Sequence, residues 1–223
     1  MRTELICILD RSGSMESMAK EAIGGFNGFL DDQKAIPDPA NMTVVLFDNE
    51  YKVLHNAIDI QDVSPMDELQ YQPRGTTALL DAIGKTIGDV RERINTQLAE
   101  IRKVKADAIA PKVIVMIMTD GQENSSKEYS KAKVKELIEG CKKDSWQFLF
   151  LSADMDGFAE AANWGFDVNM RVGYAGTGTA QMRGYNYTSN VIGKYRTGLT
   201  ETLCSDKSYI GDKEENDKDN DSK

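Results

Sequence analysis

Three stretches of the chain, far apart in sequence, each place small oxygen ligands where a predicted strand stops or a helix starts. They are Asp10-Arg11-Ser12-Gly13-Ser14, then Gly75-Thr76-Thr77-Ala78-Leu79, then Thr119-Asp120-Gly121. Two carboxylates with three or four hydroxyls suit a hard divalent cation such as Mg²⁺, which takes oxygen ligands and keeps some of its waters. The set carries too few charges for a closed cage. Water, or a carboxylate brought by another molecule, must complete the shell.

Placing these groups together requires an α/β sheet. Strand-length apolar runs alternate with helix-period segments along the chain, the pattern of a doubly wound fold. Residues 4–9 read as a central strand, apolar almost throughout because both faces are covered. A helix is expected at 16–35, with Ala22, Ile23, Phe26, Phe29 and Leu30 on one face. Strands at 41–48 and 51–58 read as a hairpin at the sheet edge, turning at Asn49-Glu50. A long helix starts near Ala78, capped by Thr76 or Thr77, and runs to about 104. Further strands are expected at 112–119, 146–152 and 167–172, and further helices at 128–143, 155–164 and 179–197. The sheet is therefore mostly parallel with one antiparallel edge strand. In such sheets, ligands bind at the carboxyl ends of the strands, where the strand order reverses.

The constellation resembles the metal-ion-dependent adhesion site of von Willebrand factor A domains, whose motif is Asp-x-Ser-x-Ser, a distant Thr and a distant Asp. Asp10, Ser12, Ser14, Thr77 and Asp120 fill its positions in order, and apolar strands precede both Asp10 and Asp120. The resemblance spans roughly residues 1–198. It implies that Ser12, Ser14 and Thr77 bind the cation through neutral hydroxyls, with Asp10 and Asp120 acting partly through waters. A cation held so stays electrophilic and takes a partner's Glu or Asp as a strong further ligand. Thr76 and Thr77 compete for the third position. Thr77 fits better, because Thr77-Ala78-Leu79-Leu80 then starts the helix in phase. The implied cofactor is Mg²⁺, with Mn²⁺ and Ca²⁺ as alternatives.

Composition sets the remaining bounds. At 223 residues the chain suits one domain with a large core, expected over 1–200. Residues 201–223 are expected to be an acidic, disordered tail, because 211–223 offer nothing apolar to bury. A net charge of −9 argues against nonspecific binding to nucleic acid or to anionic membrane. No secretory signal precedes the first strand, and no apolar run approaches the ~20 residues that span a bilayer. Three cysteines, Cys7, Cys141 and Cys204, lack metal-site spacing. A cytoplasmic location is the expectation.

Two functions compete. One is a non-enzymatic interaction module whose Mg²⁺ accepts an acidic side chain from a partner protein. The resemblance to intracellular bacterial and viral single-domain members implies an AAA+ ATPase or another assembly machine as that partner. The other is a Mg²⁺-dependent phosphohydrolase on a Rossmann-like sheet. Such a site wants a second acid close to the nucleophilic Asp, and position 12 is Ser. The sole histidine, His55, falls on the predicted edge strand, and the interaction module is the preferred reading.

Overall fold

The computed structural model describes residues 2–205 and 209–212. Its seven-stranded sheet has the order β3-β2-β1-β4-β5-β6-β7. The strands are β1 (Thr3–Asp10), β2 (Ala40–Phe47), β3 (Tyr51–Asp59), β4 (Val113–Thr119), β5 (Gln147–Ser152), β6 (Arg171–Tyr174) and β7 (Tyr209–Ile210). All neighbours run parallel except β2 and β3, which form the antiparallel edge hairpin. The helices are α1 (Ala19–Lys34), α2 (Leu79–Val104), α3 (Lys131–Lys143), α4 (Met155–Glu160) and α5 (Gly178–Arg196).

The central strands are buried on both faces, and their alternation sorts side chains into two cores. Leu5, Cys7 and Leu9 of β1 and Ile114, Met116 and Met118 of β4 pack beneath α1 and α5 with Phe26, Phe29 and Tyr185. Ile6 and Ile8, with Val113, Val115 and Ile117, point the other way against α2 and α3, where they meet Ile83, Ile87, Val134 and Ile138. At about 25 cal/mol per Å² of apolar area, this two-sided burial is the main source of stability and fixes the strand register. Among the described residues, no helix is long and apolar enough to cross a membrane.

Helices α1 and α5 come close because Gly25 leaves room for the Tyr185 ring. A Cβ at Gly25 would sit 2.3 Å from a ring carbon of a side chain that is itself buried. Gly25→Ala should therefore lower stability by about 1–3 kcal/mol despite the better helix propensity of Ala. Urea unfolding checks this, and an unchanged or raised midpoint would contradict it.

Three expectations need correction. No side chain of Thr76 or Thr77 caps α2, whose N-cap residue is Ala78. The last parallel strand before α5 is shorter and later than 167–172, because residues 168–170 form a 3-10 turn. The segment from 201 is not wholly a free tail: Leu203 is buried and Tyr209–Ile210 add β7 to the sheet edge. Two apolar residues there, Leu203 and Ile210, pack into the α1/α5 core. The rest of the expected tail, 206–208 and 213–223, lies outside the described residues.

Candidate metal centre

Strand order reverses between β1 and β4: the chain leaves β1 for β2 on one side and returns through α2 to β4 on the other. Such a reversal opens a crevice at the carboxyl ends of the two strands. Asp10 is the last residue of β1, and Asp120 directly follows β4. Both carboxylates thus stand at the switch point.

The three segments converge there. Ser14 Oγ donates to Asp120 Oδ1 at 2.8 Å, and the Ser12 and Ser14 hydroxyls lie 3.1 Å apart. Asp10 Oδ1 accepts the Ser12 backbone N–H at 2.7 Å, and Asp10 Oδ2 accepts the Thr119 hydroxyl at 2.5 Å. Gly121 forms one wall. A Cβ added to it would lie 3.4 Å from Thr77 Oγ1 and 3.6 Å from Ser14 Oγ, so both hydroxyls face this residue. Thr77 is buried and Thr76 exposed, so it is the Thr77 hydroxyl that enters the site. Asp10, Ser12, Ser14, Thr77 and Asp120 therefore share one locus. Asp10 and Ser12 are buried at its floor, whereas Gly13 and Ser14 are exposed at its mouth.

Electrostatics at the floor are unfavourable in the absence of a cation. Burial pushes the Asp10 carboxyl up to about 6, against the hydrogen bonds from Thr119 and Ser12 that lower it, and nearby Asp120 adds to the rise. Burial likewise raises Asp120, opposed by the Ser14 hydroxyl. Two carboxylates facing neutral hydroxyls in a partly desolvated crevice are a setting that a divalent cation relieves. The donor chemistry thus fits Mg²⁺ or Mn²⁺. Asp10, Ser12, Ser14, Thr77 and Asp120 are the residues that would hold it.

A strand-end acid, Asp48, and residues that local sequence pattern does not mark build the frame. The Asp48 carboxylate is fully buried, with Arg11 Nε 3.1 Å and Arg74 Nε 3.0 Å away. Backbone bonds tie the same segments together: Arg74 N–H to Arg11 O, Gly13 N–H to Gly75 O, and Ala78 N–H to Asp48 O. This lattice sets the loop carrying Ser12 and Ser14 against the loop carrying Thr77. The positive φ of Gly75, 65°, brings that loop round beside the Asn49 side chain. Tyr71 donates its phenol to the Asp10 carbonyl, and Tyr174 donates to the Thr119 carbonyl, holding both strand ends from below.

The segment after Asp120 supplies what α2 lacks. Glu123 Oε2 accepts the Leu80 N–H and Ser126 Oγ accepts the Asp81 N–H, satisfying donors in the first turn. Asp81 returns the favour by accepting the N–H groups of Lys127, Glu128 and Tyr129. Asn124 Oδ1 accepts the Thr77 N–H, and Asn124 N–H donates to Thr77 O. Thr77 is thereby fixed to the loop that carries Asp120 rather than to its own helix. An Asn and a Glu within four residues of Asp120 were the available sequence signal, but nothing in local pattern names their distant partners.

Other acidic residues near this edge have ordinary roles. Asp154 caps α4 by accepting the Gly157 N–H, and Asp156 accepts weakly from Gln122 at 3.4 Å. His55 lies on β3, a different edge of the sheet from the crevice.

Comparison with protein-family models and with curated proteins finds no match. Comparison with solved structures finds the same architecture repeatedly. The pilus adhesin SpaC from Lactobacillus rhamnosus GG superposes with a TM-score of 0.61 at 13% identity, over 86% of this chain and 30% of that one. A von Willebrand factor type A protein from Catenulispora acidiphila gives 0.57 at 13% identity, over 85% of this chain and 42% of that one. BatB from Bacteroides thetaiotaomicron gives 0.50 at 15% identity, over 84% of this chain and 98% of that one. This chain thus spans less than half the length of the first two. At these identities the likeness is one of fold, and the fold is that of von Willebrand factor A domains.

Proposed function

We propose that this chain is a metal-dependent protein-interaction module. The observation that carries the reading is the convergence of Asp10, Ser12, Ser14, Thr77 and Asp120 at one switch-point crevice with Ser14 exposed at its mouth. A divalent cation bound there would supply Lewis acidity for an acidic side chain of a partner protein. The chain's own residues do the rest. Ser12, Ser14 and Thr77 would contribute neutral oxygens, and Asp10 and Asp120 would contribute charge. The Asp48–Arg11–Arg74 cluster keeps the loops registered. A partner inside the cell, an AAA+ ATPase or another assembly machine, is the class proposed, with no role for nucleic acid or membrane.

The hydrolase alternative gains no support from the geometry. A nucleophilic Asp needs a free oxygen aimed at substrate, whereas Asp10 is buried and both its oxygens accept hydrogen bonds.

Calorimetry with Mn²⁺ tests the reading. The wild-type chain should bind one equivalent, and Asp10→Ala should bind none while keeping its circular dichroism spectrum. Equal affinity in the variant would remove the cation from this site. Capture of a partner should then vanish in chelator, and a partner held equally well by Asp10→Ala would place recognition on another face.

A further inference from the structure

Among the candidate ligands, Thr77 is not aimed by its own element. Asp10 and Asp120 stand at the ends of β1 and β4, and Ser12 and Ser14 are bonded to those two carboxylates. Thr77 precedes Ala78, the N-cap of α2, whose φ of −92° and ψ of 61° lie outside helical geometry. The helix begins at Leu79 and does not carry its direction back to Thr77. Whatever turns the Thr77 hydroxyl towards Gly121 must come from outside the helix.

Asn124, on the loop between β4 and α3, meets that need. Its side-chain Oδ1 accepts the Thr77 N–H at 2.9 Å, and its backbone N–H donates to the Thr77 carbonyl at 3.0 Å. One bond alone would let Thr77 rock. Bonds to both its N–H and its C=O fix the peptide units on either side of its Cα, and with them the direction of its Cα–Cβ bond. On the far side the Ala78 N–H donates to the Asp48 carbonyl at 2.9 Å, so Thr77 is gripped between two loops. Glu123 keeps Asn124 in place. Its Oε1 accepts the Ser125 and Ser126 N–H groups at 3.0 and 2.7 Å, and its Oε2 accepts the Leu80 N–H at 2.8 Å. The Tyr129 ring holds the far end of the loop against Gly84, where a Cβ would collide with it. Asn124 itself is exposed, so its side chain fills no part of either core.

We propose that Asn124 is a positioning residue of the metal centre: its amide oxygen, bonded to the Thr77 N–H, sets the direction of the Thr77 hydroxyl. This deepens the metal-dependent reading and rests on it. Groups that hold a metal's ligands typically change its affinity by about 10–100-fold when they are removed. The lower end of that range applies here, because the other candidate ligands are aimed by other contacts.

The test measures Mn²⁺ affinity by calorimetry and metal-free stability by urea unfolding in the full-length wild type, Asn124→Ala, Asn124→Asp, Thr77→Ala and Thr77→Ala/Asn124→Ala. Asn124→Ala should bind Mn²⁺ about tenfold more weakly than wild type with its circular dichroism spectrum intact. Asn124→Asp keeps an oxygen for the Thr77 N–H and should bind at least as tightly as wild type. A residue that acts through Thr77 has nothing left to aim once the hydroxyl is gone. The double variant should therefore bind Mn²⁺ no more weakly than Thr77→Ala alone, while its urea midpoint still falls below that of Thr77→Ala because the bond to the Thr77 backbone is lost. A merely structural Asn124 would not separate affinity from stability in this way. Affinity losses that add in the double variant, an Asn124→Asp chain as weak as Asn124→Ala, or undiminished Mn²⁺ binding in Asn124→Ala would each overturn the assignment and leave the metal site standing. Absence of Mn²⁺ binding in the wild type would overturn the metal-dependent reading with it.

Discussion

Replacing Asp10 by Asn should make the metal-free protein more stable at neutral pH while removing its response to divalent cations. Asp10 is almost fully buried, and desolvation raises its carboxyl from 3.8 to about 6 in spite of two hydrogen bonds to it. About two units correspond to roughly 3 kcal/mol of unfavourable interaction once the group is charged. The sign follows from linkage. The folded state holds this proton more tightly than the unfolded chain, so the penalty is absent below about pH 4, grows between pH 4 and 6, and is complete above about 6. Asn keeps an acceptor for the Ser12 N–H, and Thr119 can turn its hydroxyl to Gly121 O, already 3.2 Å away. Metal-free Asp10→Asn should thus exceed wild type by roughly 1–3 kcal/mol at pH 7.5, with the gap closing towards pH 4. Adding Mg²⁺ or Mn²⁺ should raise the melting temperature of wild type alone. Thermal melts with and without chelator at several pH values measure all of this. A metal-free variant less stable than wild type at pH 7.5 would show that Asp10 serves the fold, not the cation.

The placement of Asp10 and Asp120 at strand ends was legible in the sequence; the burial that raises the Asp10 carboxyl was not. Strands β1 and β4 carry unbroken apolar runs because both faces are covered, so their ends, and hence Asp10 and Asp120, could be placed from sequence. The order of strands and helices followed from the same alternation, as did the antiparallel edge formed by β2 and β3. Thr77 was separable from Thr76 only by helix phase, and its burial against Gly121 supplies the physical reason.

What sequence could not show were the long-range polar pairings. Glu123 and Ser126 cap a helix more than forty residues upstream, and no periodicity links them to it. β7 is two residues long, too short to carry a strand pattern, and it forms because Leu203 and Ile210 find apolar cover already built by α5 and the sheet. Polar composition around it read as tail. Tertiary context decided both cases, as it commonly does for short elements.

The Asp48 cluster carries the other large effect. Asp48 directly follows β2, the hairpin's first strand, and could have been a turn cap alone, since it also accepts the Glu50 N–H at 2.6 Å. Instead its carboxylate faces two guanidinium groups, one of them on the nearly buried Arg11. Asp48→Ala leaves the Arg11 charge desolvated with no counter-ion, and removing one member of a buried pair typically costs about 3–5 kcal/mol. The loss should be felt at the metal centre as well, because Arg11 lies between Asp10 and Ser12, and Arg74 precedes Gly75 and Thr77. Removing both charges at once should be far milder. Asp48→Ala with Arg11→Met should recover most of the stability, giving a coupling energy well outside the ~0.5 kcal/mol expected of independent sites. Urea unfolding of the two single variants and the double variant measures that cycle. Mn²⁺ calorimetry on the double variant then separates scaffold from site. Restored stability with weakened Mn²⁺ binding assigns the cluster to loop registration. Additive losses in the unfolding cycle would mean that Asp48 and Arg11 stabilise the protein independently, and the ion pair would not be what holds the two ligand-bearing loops together.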